Sequence, residues 1–364
     1  MNIFFDHQAF SLQNYGGISR YYCELIKGIN KDEHHNAHLS LLWSNNIHLR
    51  EYKIPVLPYP FPKRYRLLSQ SNKIFNIVNA KLTNYDIYHA TYFSDFLKNY
   101  TSHKPYVTTF YDMTYERLSH QFVELSADTL IIGQKKKIAQ YASHLVAISE
   151  STKRDMVDIL NIDPKKITVI YLSTPFSQKK ILETTYKNNN RPYLLFVGNR
   201  TGYKNFIPFL RSIAYILIRY QIVLVCAGGG SFTSNEHDVI RALSLNGLVE
   251  HQLIDDTLLP HLYGGAIAFV FPSLYEGFGI PILEAFSCNC PCIVSNTSSF
   301  PEVAGKGALY FDPTDSESMA TNVERVILDD ELRNNLIQNG QQELRRFSWQ
   351  HTINETLELY EKLI

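Results

Sequence analysis

The sequence predicts an α/β protein made of two successive βα domains, and three observations carry that prediction. Short β-rich runs alternate with segments of helical period over most of the 364 residues, the pattern of parallel sheets joined by crossover helices. The alternation stops once, in a polar stretch that ends in three consecutive asparagines, Asn188, Asn189 and Asn190. It then restarts and finishes in a helix-rich tail.

Taken in order, the first half predicts strands over 2–5, 39–43, 86–90, 106–110, 145–148 and 168–171. Helices fill the gaps, for example 18–30 and 133–141. Ser149 has the small hydroxyl of an N-cap for a helix over 150–160. Residues 176–190 read as a linker. Strands over 193–197, 222–227, 267–271 and 292–294 follow, then helices over 316–329, 331–347 and 349–363. The expected domains are 1–175 and 191–347, with 348–364 as a last helix. No internal repeat of solenoid length is present.

Composition bounds the function. The length supports two ordinary cores, and 45% hydrophobic with 19% charged residues is the balance of a folded soluble chain. Lys plus Arg equals Asp plus Glu at 35 each, so no global field draws nucleic acid. Any anionic ligand is expected to be held by local groups. The opening residues read as a buried strand rather than a secretion signal. The longest apolar stretch, 213–227, is broken by Arg219 and Gln221, so no membrane span is expected. Five cysteines do not make a disulfide framework in a chain of this size. The expected compartment is the cytoplasm. The 24 Tyr and 21 Phe suit sugar stacking, although core filling accounts for most of them.

The segment richest in chemistry is FPSLYEGFGIPILEAFSCNCP, residues 271–291. A buried strand leads into a Gly-punctuated loop and then a helix that begins at Gly279 or Ile280. In such a unit the loop amides and the helix N-terminus converge where an anion or sugar hydroxyls bind. Pro281 suits the first turn, where its missing N–H is not needed. Glu276 lies in the loop and Glu284 in the helix, eight residues on, so both can border one crevice. Alone this is weak, because a surface loop followed by a solvated helix glutamate looks the same.

The surroundings sharpen it. EGFGIPILE resembles the E-x7-E signature of GT-B glycosyltransferases of the retaining family 4 type (glycosyl transferases group 1). YLLFVGNRTGYKNF (193–206) resembles that family's opening strand and phosphate loop, and IVLVCAGGG (222–230) its next strand and turn. LPHLYGGAIAFVFPSLYEGFG (259–279) resembles the approach to the signature, and TSSFPEVAGKGALYFDPTDSESMA (297–320) the closing segment. DHQAFSLQNYGGISRYYCEL (6–25) resembles the glycine-loop start of bacterial surface-polysaccharide members, the O-antigen and capsule mannosyltransferase-like subgroup. The resemblance runs in order over essentially the whole chain. It implies two Rossmann-like domains facing across a cleft, the first binding acceptor and the second nucleotide-sugar, with the last helix packing back on the first.

It also implies roles. Glu276 sits by the donor sugar and Glu284 binds the ribose hydroxyls, a sensible pairing of a carboxylate with vicinal hydroxyls. The amides of Gly277, Phe278 and Gly279 hold sugar hydroxyls and the phosphate edge. Lys204 matches the phosphate lysine, supplying charge to a departing diphosphate. Many relatives carry a second cation immediately before that lysine, where this chain has Tyr203. Arg200, in the same short loop, is the expected substitute. Gly16 and Gly17 read either as a turn needing positive φ or as a close backbone approach to donor phosphate and acceptor. Tyr111 and Asp112 end a strand where relatives carry His-Asp, so Tyr111 stands where a histidine would contact the sugar. Its phenol retains one donor. His7 is an alternative cleft residue, equally readable as structural.

Other signals are discounted. Cys288, Cys290 and Cys292 lack the ligand number and spacing of zinc and read as buried small residues at a helix–strand turn. Asp255-Asp256 and Asp329-Asp330 lack the spacing of an acidic metal motif, and the latter reads as a helix junction. Lys135–Lys137 reads as a solvated face or as a contact to anionic lipid.

The expected reaction moves a hexosyl group from a nucleoside-diphosphate sugar, GDP-mannose or a related GDP-sugar, to a hydroxyl of a glycan or lipid-linked oligosaccharide. The setting the resemblance implies is O-antigen, capsule or lipopolysaccharide biosynthesis. Retention of configuration is expected, with no metal and no cofactor, the leaving phosphate taking the acceptor proton. Expected partners are the sugar nucleotide and the acceptor, not nucleic acid, with peripheral contact to the cytoplasmic face of the inner membrane or to a polysaccharide assembly complex. The alternatives are a catalytically silent scaffold for an active transferase and a UDP-sugar epimerase on the same fold.

Overall fold

The computed structural model of the chain describes residues 1–58, 65–94, 96, 104–126, 129–174, 176, 191–255 and 257–364. The expected linker lies, apart from Phe176, outside the described residues. The chain divides into two compact units: Met1–Arg117 with Leu125–Leu172 and Ser348–Ile364, and Leu118–Glu124 with Ser173–Phe347.

The first unit is built on a parallel six-stranded sheet. Its strands are β1 (Asn2–Phe5), β2 (Asn36–Leu39), β3 (Ile87–Ala90), β4 (Tyr106–Phe110), β5 (His144–Ala147) and β6 (Ile167–Val169). They lie in the order β2-β1-β3-β4-β5-β6. Every residue of β3 and β4 is buried, because crossover helices cover both faces of a parallel sheet. Four strand positions agree with the expected ones to within one residue and β6 to within two, the usual uncertainty of element ends.

The expected strand over 39–43 is corrected to Asn36–Leu39. The register pairs Asn2 with Asn36 and Phe5 with Leu39, and the ladder ends where β1 ends. The amides of Leu42 and Trp43 turn instead to the Asn72 side-chain oxygen, at 3.3 and 2.9 Å. Asn72 belongs to a helix over Tyr65–Leu82 that the sequence reading did not place.

Residues 348–364 belong to the first unit. Their helix, Trp349–Glu361, packs on helix Gly17–Ile29. Gly28 has no Cβ where Ile353 approaches; one built there would stand 2.0 Å from Ile353 Cδ1. Thr352 Oγ1 donates to the Tyr171 carbonyl at 2.7 Å, and the buried Tyr360 hydroxyl bonds His89 Nδ1.

The second unit has its own parallel sheet: β7 (Tyr193–Val197), β8 (Val223–Ala227), β9 (Val249–Gln252), β10 (Ala268–Phe271), β11 (Cys292–Ser295) and β12 (Ala308–Phe311). The order is β12-β11-β10-β7-β8-β9. Helix Phe206–Tyr220 buries Phe206, Phe209, Leu210, Ile213, Ile216 and Leu217 on one stripe against it. The sequence reading missed β9 and β12. Both are edge strands, and β9 reads Val-Glu-His-Gln with only Val249 fully buried. Asp329, expected at a helix junction, caps helix Asp330–Leu344 through the Leu332 amide.

That helix meets the turn at Gly305–Gly307 backbone to backbone. A Cβ on Gly307 would stand 2.7 Å from the Gly340 Cα. Gly307→Ala is therefore expected to cost about 1–3 kcal/mol, read as a lower urea midpoint. Gly17→Ala, where an added Cβ meets nothing within 4 Å, is expected to leave the midpoint in place.

Candidate functional site at the second sheet's switch point

In the second unit the chain begins at β7, steps outward through β8 and β9, and then returns to β10 on the other side of β7. The loops leaving the carboxyl ends of β7 and β10 therefore diverge, and a crevice opens between neighbouring strands. Ligands of open α/β sheets bind at such a reversal. Both of the segments singled out from the sequence end there.

The loop after β7 contains Gly198, with φ +104°, and a 3-10 turn over Gly202–Lys204. Asn205, with φ 58°, starts helix Phe206–Tyr220 and donates to the Pro313 carbonyl at 2.8 Å. This places Lys204 Nζ 2.5 Å from Glu276 Oε1. The two side chains are 19% and 16% exposed, so the pair is partly shielded but open to a ligand. The ammonium also lies 5.1 Å from the Tyr203 ring centre and 5.7 Å from that of Phe271. Tyr203 thus offers a π face to the ammonium.

The loop after β10 is braced from behind. The Leu274 amide donates to the Tyr203 carbonyl at 2.8 Å, tying the two loops together. The Glu276 amide donates to Ser298 Oγ at 3.1 Å. Ser299 Oγ lies 3.0 Å from the Glu276 carbonyl and 2.8 Å from that of Phe278. Gly279 adopts φ +104°, and a Cβ there would stand 3.1 Å from the Phe300 ring, so glycine is required twice over. Helix Ile280–Ser287 starts immediately afterwards with Pro281 in its first turn. Gly277 and Phe278 are buried; the Phe278 ring packs edge-on against Phe347 at 5.7 Å.

Glu284 is buried in that helix, and its Oε2 accepts from the Tyr263 hydroxyl at 3.0 Å. Burial holds the Tyr263 phenol well above its ordinary pKa, so it stays a donor. Ser298, Ser299 and Tyr263 lie in segments already matched to the family, but neither spacing nor residue type marks them as supports.

Arg200 is corrected in its role. It does not stand beside Lys204 as a second solvent-facing cation. Its guanidinium is buried and donates to Glu236 Oε1 at 2.8 Å, and to the carbonyls of Gly228, Gly230 and Ser231 at 3.0, 2.8 and 3.1 Å. Gly228, Gly229 and Gly230 all have positive φ. Arg200 is the brace of that turn, its donors committed within the fold.

In the first unit, neither Gly16 nor Gly17 uses the left-handed region. Gly16 is extended at φ 169° and caps helix Gly17–Ile29. A Cβ on Gly16 would stand 2.3 Å from Gln13 Oε1, the end of a flexible side chain that can move aside, so neither positive φ nor packing requires a glycine there. Tyr111 is buried edge-on to Tyr21 and Tyr22, at 5.9 and 6.5 Å. Burial pushes its phenol well up. Asp112 Oδ1 accepts from the Thr114 amide at 2.9 Å. Burial works against its charge, but Lys135 and Thr114 outweigh that and hold the carboxyl below its ordinary value.

Lys135 also overturns the reading of its basic run as a solvated face. It is 1% exposed and donates to the Asp112 carbonyl at 2.9 Å and to Glu116 at 3.2 Å. Lys136 and Lys137 are the exposed members.

Beyond the ends of β1 and β3 lies a cavity of about 470 Å³, whose lining includes His7, Ser11, Lys73, Tyr92 and Phe96. His7 Nδ1 lies 2.9 Å from Ser11 Oγ, which also accepts from Asn72 at 3.1 Å. His7 Nε2 is buried with no partner among the described residues. Burial lowers the His7 pKa, keeping the ring neutral.

Cys288, Cys290 and Cys292 are buried, and burial pushes the Cys288 thiol up to about 12. Among the described residues no group of three or more His, Cys, Asp or Glu side chains is placed to hold a metal ion. Asp255 accepts from the Thr257 and Leu258 amides; its neighbour Asp256 lies outside the described residues.

Residues 15–175 match the family model Glycosyltransferase Family 4, and residues 177–343 match Glycosyl transferases group 1. The chain is 29% identical to O-antigen chain mannosyltransferase B of Escherichia coli over 61% of each protein. It is 32% identical to O-antigen chain mannosyltransferase RfbU of Salmonella typhimurium, over 52% of this chain and 53% of that one. The matches thus span a little over half the length of these relatives. In three dimensions it is similar to HepE of Anabaena in complex with UDP and glucose, with TM-score 0.76 at 16% identity, covering 100% of this chain and 99% of that one. Sucrose-phosphate synthase of Thermosynechococcus elongatus gives TM-score 0.76 at 17% identity, covering 100% and 98%. These likenesses establish the fold.

Removing Arg200 would leave the buried Glu236 carboxylate without its cation and three carbonyls without this donor. Arg200→Ala is expected to cost about 3–5 kcal/mol, measured by urea unfolding. Burial opposes the charge of Glu236, but its bonds from Thr233 and Arg200 prevail and hold the carboxyl below 4.5. That contribution is full above pH 4.5 and is lost as pH falls through the lowered native value. Glu236→Gln is expected to flatten this acid limb of the stability profile.

Proposed function

Because the chain belongs to the family 4, group 1 glycosyl transferases, we propose that it transfers a sugar from a nucleoside-diphosphate sugar to a hydroxyl with retention of configuration. The observation that carries this reading is the Lys204–Glu276 pair at the crevice between β7 and β10. A diphosphate entering there competes with the carboxylate for the ammonium. Lys204 then stabilises the charge that develops as the bond from the anomeric carbon to phosphate oxygen breaks. Glu276, released from the lysine, faces the sugar hydroxyls. Glu284, oriented by Tyr263, accepts from the ribose hydroxyls. The amides around Gly277–Gly279 hold the phosphate edge at the start of helix Ile280–Ser287.

The step balances without a covalent enzyme intermediate. The acceptor oxygen bonds the anomeric carbon on the face the phosphate leaves, and the acceptor proton passes to the departing phosphate oxygen. Lys204 supplies positive charge at the diphosphate, so the reaction needs no metal and no cofactor. The relatives named O-antigen chain mannosyltransferases support a mannosyl donor and an O-antigen glycan acceptor; within that reading the donor is GDP-mannose and the acceptor a glycan or lipid-linked oligosaccharide. In the first unit, Asp112 with the His7-lined cavity serves the acceptor. Tyr111, buried and protonated, supports the wall instead of contacting sugar.

GDP-mannose is expected to raise the thermal midpoint of the wild type, and neither Lys204→Ala nor Glu284→Ala is expected to respond. Lys204→Ala and Glu276→Gln are each expected to lower kcat/KM by about a hundred- to a thousandfold, with activity unaffected by EDTA and the α-anomer retained by NMR. If UDP-sugars alone stabilise the protein, the donor assignment fails. If no sugar nucleotide does, the transferase reading fails and a silent scaffold takes its place.

A further inference from the structure

A second cavity, of about 350 Å³, lies wholly within the first unit, where helices Gly17–Ile29, Ile47–Glu51 and Trp349–Glu361 meet. The close approach of Ile353 to Gly28 brings the first turn of the last helix in as one wall.

Four charges line this cavity, Glu24, Lys27, Lys31 and Glu51, and among the described residues no ion pair closes across it. Glu24 and Lys27 stand three residues apart on one helix, a spacing at which such a pair ordinarily forms. Tyr52 keeps them apart. Its hydroxyl donates to Glu24 Oε1 at 2.5 Å, and its ring centre lies 5.3 Å from Lys27 Nζ and takes the ammonium. Burial and the bond to Glu24 hold the phenol well above its ordinary pKa, so it stays a donor. Glu51 Oε2 lies 2.9 Å from His48 Nδ1. Each carboxylate thus keeps its other oxygen without a partner among the described residues. On the wall from the last helix, Trp349 has a buried indole N–H that likewise has no partner there.

These groups select a ligand by elimination. An anion would meet Glu24 and Glu51, a cation would meet Lys27 and Lys31, and an apolar group would strip water from all four charges. An uncharged polyol incurs none of these penalties, because each hydroxyl both donates and accepts. It can donate to a carboxylate and accept from an ammonium or from the indole N–H. The half-buried rings of Trp349 and Tyr52 offer apolar surface to the C–H faces of a sugar.

We infer that this cavity is a second binding site, one that takes a segment of uncharged oligosaccharide. It shares no lining residue with the His7 cavity, and its occupation does not depend on the proposed transfer. In a protein that extends a glycan, such a site would hold chain already made and so raise the effective concentration of long acceptors.

The test is NMR of the full chain, isotope-labelled on nitrogen and with no sugar nucleotide present, so its outcome stands apart from that of the transferase reading. The chain has two tryptophans, Trp43 and Trp349, and the indole signal lost in Trp349→Phe identifies this site. Titration with α-linked mannotriose, and in parallel with maltotriose, is expected to move the Trp349 signal saturably for at least one of them and to leave that of Trp43 in place. Trp349→Phe, which keeps a ring and removes the N–H, and Glu51→Gln, at an exposed carboxylate, are each expected to weaken binding about fivefold by calorimetry. A Trp349 signal that neither trisaccharide moves at millimolar concentration overturns the inference. So does unchanged affinity in both variants, or a response of that signal to sodium phosphate that neither trisaccharide reproduces; an anion site would then stand in its place.

Discussion

The ammonium of Lys204 and the carboxylate of Glu276 meet at 2.5 Å across the divide between β7 and β10, and much of the second unit serves to keep them there. Neither loop could hold a charge in place alone. The Leu274–Tyr203 backbone bond joins the loops, and Ser298 and Ser299 secure the glutamate's own backbone. Gly279 lets the chain turn into a helix without a Cβ striking Phe300. A partly buried ion pair of this kind adds little to stability once desolvation is counted. Its value is that both charges are preorganised where an anionic ligand would replace one of them.

The same economy governs the other buried charges. Arg200 and Glu236 neutralise each other while the guanidinium's remaining bonds hold a turn of three positive-φ glycines. In the first unit Asp6 is fully buried yet accepts from the Gln8 and Thr91 amides and from the Tyr88 hydroxyl, fixing the turns that follow β1 and β3. Lys135 performs the equivalent task for Asp112 and Glu116. Asp6, Asp112 and Arg200 sit just past the carboxyl ends of β1, β4 and β7, where loop backbone would otherwise be left unpaired. Polar groups here do the work that side-chain packing does deeper in the sheets.

Helix Tyr65–Leu82 extends that logic to the edge of the first sheet. Among the described residues strand β2 pairs only with β1 and forms the edge of the sheet. Asparagine carboxamides, with both donor and acceptor, satisfy that backbone in place of a seventh strand. Once the inward face is spent on amides, the apolar residues of the helix have nowhere to go but outward.

By itself the sequence determined the class of fold and the positions of nearly all central strands, and through the family resemblance it singled out Glu276, Glu284 and Lys204 as candidates. These are properties of local periodicity and of contiguous motifs, and each survives being read one segment at a time. The edge strands β9 and β12 were not legible, because an edge needs less apolar burial and β9 carries polar residues. Nor was the commitment of Arg200 and Lys135: a cation in a loop or on a helix looks solvent-facing until carbonyls and carboxylates from distant segments close around it. Helix Tyr65–Leu82 was not placed although Ile74, Val78 and Leu82 recur at helical spacing, and periodicity alone does not tell that its asparagine side faces inward. Only the tertiary structure decides which side of a helix meets protein and which donors are already spent, because those facts reside in partners tens or hundreds of residues away.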